Sequence, residues 1–205
     1  MRLLELFAGS CSFSDEAKKY GYKTITVDNG EAFVDQVAFN KIDHIENVLS
    51  FYYQELPSID VVWASPPCTY FSVASIGHHW NKDHTPKTKE AMIGVNLIKK
   101  TMEIIDYLGP KYWFIENPRG KLRKLEIMKD LPRKTVTYCQ YGEERMKPTD
   151  IWTNLNWTPK PICKNGDTCH VSAPRGSRTG TQGMANSYEK AKIPKELCKE
   201  ILEAI

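Results

Sequence analysis

The sequence predicts an α/β fold, a doubly wound and mainly parallel sheet carrying a small loop-rich insert. Short apolar runs alternate with helix-like stretches through the first half of the chain, at a spacing that suits strand–helix–strand crossovers. Those runs end in small-residue or proline-stiffened loops, the position where open α/β sheets bind ligands. The length of 205 residues, with 11% aromatic and 26% charged residues, supplies core for one folded domain and excludes a disordered chain.

The elements follow in order. Leu3–Phe7 reads as a first strand, followed by the turn Ala8-Gly9-Ser10-Cys11-Ser12. A helix is predicted over 14–20, with Ser14 as N-cap, Asp15 and Glu16 in the first turn and Gly21 as the stop. Tyr22–Val27 is a second strand, ending at Asp28-Asn29. A helical region at 31–40, a segment Ile45–Phe51 and a strand Asp60–Ala64 come next. Residues 87–108 form the longest helical pattern, with Ala91, Val95, Ile98, Met102, Ile105 and Leu108 spaced for one apolar face and Gly109-Pro110 ending it. Tyr112–Ile115 is a further strand that runs into Glu116-Asn117-Pro118.

Beyond residue 152 the character changes. Residues 156–184 are rich in Pro, Gly, Ser, Thr and basic residues, and a final helix at Lys195–Ile205 follows Ile193-Pro194. The chain therefore divides into a main unit at 1–155, an insert at 156–184 and a returning segment at 185–205. No apolar run reaches membrane-spanning length. The amino terminus meets an acid and a glycine too early for a signal peptide, and six scattered cysteines suit a reducing, cytoplasmic compartment. Residues 1–60 carry a balance of −5 and residues 61–205 one of +8, so the later part could meet a polyanion.

The stretch Ser65-Pro66-Pro67-Cys68 holds the densest chemical signal. Two prolines fix φ and bias their predecessors to extended backbone, so a thiol at Cys68 is held at a strand's carboxyl end. Asp28, about 20 residues after the first turn, stands where nucleoside-binding sheets place an acid for ribose hydroxyls. The turn lacks the full glycine fingerprint of dinucleotide binders and no P-loop lysine is present, so a nucleoside without a pyrophosphate is the better ligand.

Glu5-Leu6-Phe7-Ala8-Gly9-Ser10-Cys11-Ser12, then Val27-Asp28, Ser65-Pro66-Pro67-Cys68 and Ile115-Glu116-Asn117-Pro118 together resemble the DNA cytosine-5 methyltransferase family in order and spacing. The small size is similar to that of bacteriophage-encoded members, which implies a bacterial or phage-infected host cytoplasm. The resemblance implies a sheet of the S-adenosylmethionine-dependent methyltransferase type, with S-adenosylmethionine as methyl donor and DNA as substrate. It assigns cofactor contacts to Phe7, Ala8, Gly9, Ser10, Cys11, Asp28, Asn29, Asn47 and Pro66, and, through a weaker echo at Ala185-Asn186-Ser187, to Asn186. Cys11-Ser12 stands where relatives carry two glycines, and Asn47 where an aspartate is usual. A Cβ at position 11 is expected to lie against the methionine portion.

The same resemblance makes Cys68 the nucleophile and places Glu116 at ring nitrogen 3 of cytosine. An imperfect Gln-x-Arg-x-Arg match at Gln140–Lys147 offers Arg145 for the cytosine carbonyl, with Lys147 in reserve. The insert, with Lys160, Lys164, Arg175 and Arg178 against the single Asp167, is expected to meet DNA phosphate. It is short for a recognition region, which leaves room for a second subunit or partner supplying target recognition. Cys163-x5-Cys169-His170, with Cys139 as a further candidate, does not match a common zinc spacing, and loop packing with no metal is the expectation. Two other readings share these motifs: a catalytically weak nucleic-acid-binding relative, and an enzyme with a modified donor or an RNA substrate.

Overall fold

The computed structural model describes residues 1–31, 40–73, 76–172 and 187–205. Seven strands form one sheet: β1 (Arg2–Leu6), β2 (Lys23–Asp28), β3 (His44–Ile45), β4 (Val61–Ala64), β5 (Tyr112–Pro118), β6 (Arg133–Thr137) and β7 (Pro148–Thr153). Their spatial order is β3-β2-β1-β4-β5-β7-β6. The pairs from β3 through β5 are parallel, whereas β7 runs antiparallel to both β5 and β6. The strand order reverses beside β1, which places a crevice at the carboxyl ends of β1, β2 and β4.

Strand alternation sorts the core onto two faces. Leu4, Leu6, Val62, Ala64 and Ile115 pack on the long helix α3 (Lys89–Leu108) through Ala91, Leu97, Ile98, Ile104 and Ile105. Leu3, Val61, Trp63 and Phe114 pack on α1 (Ser12–Lys19) and the last helix, α5 (Lys195–Ala204), through Phe13, Ala17, Leu197 and Ile201. Phe13 stacks on Trp63 with ring centroids 4.1 Å apart. Two shorter helices, α2 (Ile76–His79) and α4 (Ser187–Ala191), complete the described elements.

Most predicted elements appear with shifted ends. Helix α3 begins two residues later than expected, after Thr88, whose Oγ1 accepts from Ala91 N at 3.2 Å, and the predicted Gly109 ends it at φ +53°. Its buried stripe centres on Gly94, Leu97, Thr101 and Ile104 rather than on Val95 and Met102, because the loop carrying Tyr70 and Phe71 presses close at Gly94. Helix α1 starts two residues earlier than expected, at Ser12, and its cap is not Ser14. Cys11 precedes it without a capping side chain, and Glu5 of the adjacent strand accepts from Ser14 N at 2.8 Å. Strand β5 runs three residues past Ile115, since β7 continues the ladder opposite Glu116, Asn117 and Pro118. The helical region expected at 31–40 lies almost wholly outside the described residues.

Candidate active site

The crevice above β1 and β2 is lined by a turn of unusual backbone. Phe7, Gly9 and Cys11 adopt φ of +57°, +48° and +54°, a left-handed conformation costly for the two non-glycine residues. The turn is held by Ala8 N donating to Val27 O and Cys11 N to Ala8 O. Asp28, at the end of β2, closes the crevice: its carboxylate accepts from Gly9 N at 3.0 Å and from Gly30 N at 2.8 Å. Burial raises its pKa, against the lowering effect of those two N–H groups. A carboxylate offers about four lone-pair sites, so acceptor capacity remains for a sugar diol.

The other predicted positions around this crevice are placed as follows. Ser10 Oγ and Ser12 Oγ lie 2.6 Å apart, and Ser12 Oγ accepts from Ile193 N, so the returning segment reaches the first turn. Cys11 is fully buried beside Ala8 and Ile42, with its thiol 3.9 Å from Lys41 O. The left-handed backbone turns that side chain into the core. Asn29 Oδ1 accepts from Glu31 N and Asn47 Oδ1 from Leu49 N, both at exposed turns. Asn186, Arg175 and Arg178 lie outside the described residues. The strained turn, the half-committed carboxylate and the buried Cys11 fit S-adenosylmethionine.

The Cys68 loop is fixed from two sides. Cys68 opens a 3₁₀ turn, Cys68–Tyr70, directly after the buried Pro66 and the exposed Pro67. Asn117 Nδ2 donates to Pro66 O at 2.9 Å, so the strand that carries Glu116 also grips the proline loop. Lys121 N donates to Phe71 O at 2.8 Å, and a Cβ on Gly120 would stand 2.3 Å from that same oxygen. Only glycine permits this approach.

Glu116 is buried and accepts from Tyr138 Oη at 3.0 Å. Trp63 Nε1 donates to Ser65 Oγ at 2.9 Å, and Ser65 in turn hydrogen-bonds the Glu116 carboxyl. Burial raises the Glu116 pKa; the Lys147 ammonium and the bonds from Tyr138 and Ser65 oppose that rise. Cys68 presents an accessible surface, yet the surrounding protein still raises its thiol, with Lys147 drawing it down and Glu116 pushing it up. The cation common to both groups is Lys147. Its own pKa is lowered by burial and raised by Glu116 and Cys68. Lys147 Nζ donates to Lys190 O at 2.8 Å and sits 4.5 Å from the Tyr138 ring centroid.

Arg145, the first choice from the sequence, is buried and paired with Glu143. Its Nε donates to Glu143 at 2.8 Å and its Nη2 to the same carboxylate, while the buried Nη1 has no hydrogen-bond partner among the described residues. Tyr138 carried no sequence signal. Cys139, Cys163, Cys169 and His170, for which loop packing was the expectation, converge at the end of β6, with ligand atoms within 4.8 Å of one another.

This sheet order, with the strained first turn, the acid after β2 and the thiol after β4, defines a methyltransferase fold of the S-adenosylmethionine-dependent type. The crystal structure of a "putative DNA modification methyltransferase encoded within prophage" (E. coli) superposes with a TM-score of 0.53 at 16% identity, covering 75% of this chain and 46% of that one. The chain thus spans under half the length of that neighbour, and the likeness speaks for the fold. The family model for C-5 cytosine-specific DNA methylase matches residues 1–131. A "Probable DNA (cytosine-5)-methyltransferase" of Frog virus 3 (isolate Goorha) is 29% identical over 99% of both chains. The chain belongs to the C-5 cytosine-specific DNA methylase family.

Proposed function

We propose that the protein methylates carbon 5 of cytosine in DNA through a covalent adduct at Cys68, with S-adenosylmethionine as donor. The observation that carries this reading is the convergence of Cys68, Glu116 and Lys147, with Asn117 tying the thiol's loop to the acid's strand. Carbon 5 of cytosine is too weak a nucleophile to accept a methyl group unaided. Addition of the Cys68 thiolate to carbon 6 turns the ring into an enamine and places electron density on carbon 5. Lys147 favours the thiolate.

Glu116, held toward its neutral form by burial, hydrogen-bonds or protonates ring nitrogen 3 and makes carbon 6 more electrophilic. Acid assistance of this kind contributes about 10²–10⁴ in rate. Lys147 takes the base carbonyl, and Arg145 stands behind it with Nη1 available. S-adenosylmethionine, held by the first turn and Asp28, supplies an electrophilic methyl group. Methyl transfer would leave S-adenosylhomocysteine; water then takes the carbon 5 proton, ring nitrogen 3 returns any proton it received to Glu116, and the sulfur–carbon 6 bond breaks with its electron pair going back to the Cys68 thiolate.

The target base must leave the stack to reach Cys68, costing a few kcal/mol on duplex DNA and less on a single strand. Phosphate contacts from the 156–184 segment offset that cost, and a short segment of this kind leaves target selection shared with a second subunit or partner. Action on DNA in the cytoplasm of the host cell completes the reading; among the described residues no helix is long and apolar enough to cross a membrane.

Cys68→Ser is expected to abolish methyl transfer while S-adenosylmethionine affinity stays within about twofold, a difference of roughly 0.4 kcal/mol. The wild type should be trapped covalently on a 5-fluorocytosine oligonucleotide, where fluorine blocks the elimination. Methylation by the Ser variant at the wild-type rate would refute the nucleophile.

A further inference from the structure

Four ligand-type side chains meet where the loop-rich segment crosses the end of β6. Cys139 Sγ lies 3.1 Å from Cys163 Sγ and 3.6 Å from Cys169 Sγ. His170 Nδ1 lies 3.7 Å from Cys163 Sγ and 3.5 Å from Cys169 Sγ. Zn–S bonds of about 2.3 Å and Zn–N bonds of about 2.0 Å in a tetrahedron put the S–S edges at roughly 3.8 Å and the S–N edges at roughly 3.5 Å. Three of these four separations lie within about 0.2 Å of those edges, the Cys139–Cys163 pair is tighter, and all four ligand atoms lie within 4.8 Å of one another. All four cysteinyl and imidazole groups are unbonded to one another, since every cysteine of the chain is a free thiol.

Each ligand is also held by its own local structure. Cys139 sits in the 3₁₀ turn Tyr138–Tyr141 that ends β6, and Cys163 N donates to Thr137 Oγ1 at 3.1 Å. Between Cys163 and Cys169 the chain reverses at Gly166, φ +98°, in a turn where Asp167 accepts from Lys164 N at 2.7 Å. That reversal lets the adjacent residues Cys169 and His170 both face Cys139. Gln140 Nε2 donates to Cys169 Sγ at 3.4 Å, and His170 Nε2 lies 3.5 Å from Ser172 Oγ, the outer partner that orients a ligating imidazole. Val171 N then donates to Glu144 O, fastening the exit.

We propose that Cys139, Cys163, Cys169 and His170, through Nδ1, bind one zinc ion as a closed structural site. Three thiolates and an imidazole are a soft, four-coordinate donor set that suits zinc, with no open position for a substrate. The ion fastens residues 158–172, which form no helix or strand, to the end of β6 beside Tyr138, the residue that holds Glu116. A segment with so little core of its own gains its order from the metal.

The test is metal content. Wild-type protein purified under reducing conditions, without chelator, should carry one zinc per chain by mass spectrometry of the metal. Cobalt substitution should give thiolate-to-cobalt charge-transfer absorption and the strong visible bands of a tetrahedral ion. Cys163→Ser and Cys169→Ser should lose the zinc; His170→Cys should keep it with a spectrum shifted toward four thiolates, and Cys68→Ser should keep it unchanged. Should a serine variant fail to fold, the wild-type cobalt spectrum and the His170→Cys protein still decide. Wild type that neither carries zinc nor takes it up from zinc chloride, or that shows a Cys139–Cys163 disulfide in its place, overturns the proposal, as does undiminished zinc in folded Cys163→Ser.

Discussion

Lys147 concentrates the residue-scale chemistry. It stands at φ +29°, a strained conformation for a lysine, between Met146 and Pro148. Its ammonium lowers the pKa of Cys68 and of Glu116 together, so it favours attack by the thiol while restraining how far the acid is raised. Replacing it by Met keeps the length and removes the charge. In Lys147→Met the Cys68 thiol should titrate higher, so alkylation by iodoacetamide at about pH 7 should slow by roughly threefold to tenfold and recover as pH rises. An alkylation profile coincident with the wild type would show that the ammonium does not act on the thiol.

At the scale of elements, β5 and the Cys68 loop behave as one unit. Asn117 bonds the Pro66 carbonyl, and the backbone just after β5 closes over Phe71 with Gly120 in contact. The loop's other side rests on α3, where a Cβ on Gly94 would stand 2.9 Å from Tyr70. The thiol's loop is thereby positioned by two elements that follow it in sequence, β5 through Asn117 with Gly120 just after it, and α3 through Gly94. Gly120→Ala forces either the strand exit or the loop to move and should cost about 1–3 kcal/mol. A drop in melting temperature of about 2–4 °C per kcal/mol is expected for a chain of this length. Methyl transfer should fall more than S-adenosylmethionine affinity, because the crevice above β1 and β2 is built separately. Unchanged melting and turnover would mean that the contact is soft.

On the scale of the whole molecule, the buried Glu5 links the sheet to the helix layer. Its carboxyl sits in β1, accepts from Ser14 N at the start of α1, and is pushed up to about 7 by burial. An acid whose folded pKa lies above its unfolded value binds its proton more tightly in the folded state. Stability is therefore fullest below about 4.5 and declines as pH rises toward about 7. The decline over that window amounts to about 3 kcal/mol at most. Glu5→Gln removes the titration. Urea unfolding of the variant should show a smaller loss of stability from about pH 5 to 7.5 than the wild type, the remainder being carried by the buried Asp28 and Glu116. Parallel profiles for the two proteins would place the pH dependence on other groups.

By itself the sequence determined the parallel αβ order, the strand ends that carry chemistry, and the family. Those features are local: a β strand, a proline pair or a cap is written in neighbouring residues, and the spacing of Phe7-Ala8-Gly9, Asp28, Cys68 and Glu116 follows from one crossover after another. The tertiary structure decided what depends on chain segments meeting. Strands β6 and β7 were not legible, because Arg133-Lys134 and Pro148 mask their alternation and their stability comes from antiparallel pairing with β5. Helix α1 takes its cap from β1 rather than from its own Ser14, since the acceptor comes from the strand beneath it. The turn between β6 and β7 brings Lys147 to Cys68 and Glu116 and pairs Arg145 with Glu143, a meeting that no local pattern announces. The four residues of the cluster were named in the sequence, but their convergence was not: Cys139 and Cys163 lie 24 residues apart, and only the return of the loop over β6 brings their sulfurs together.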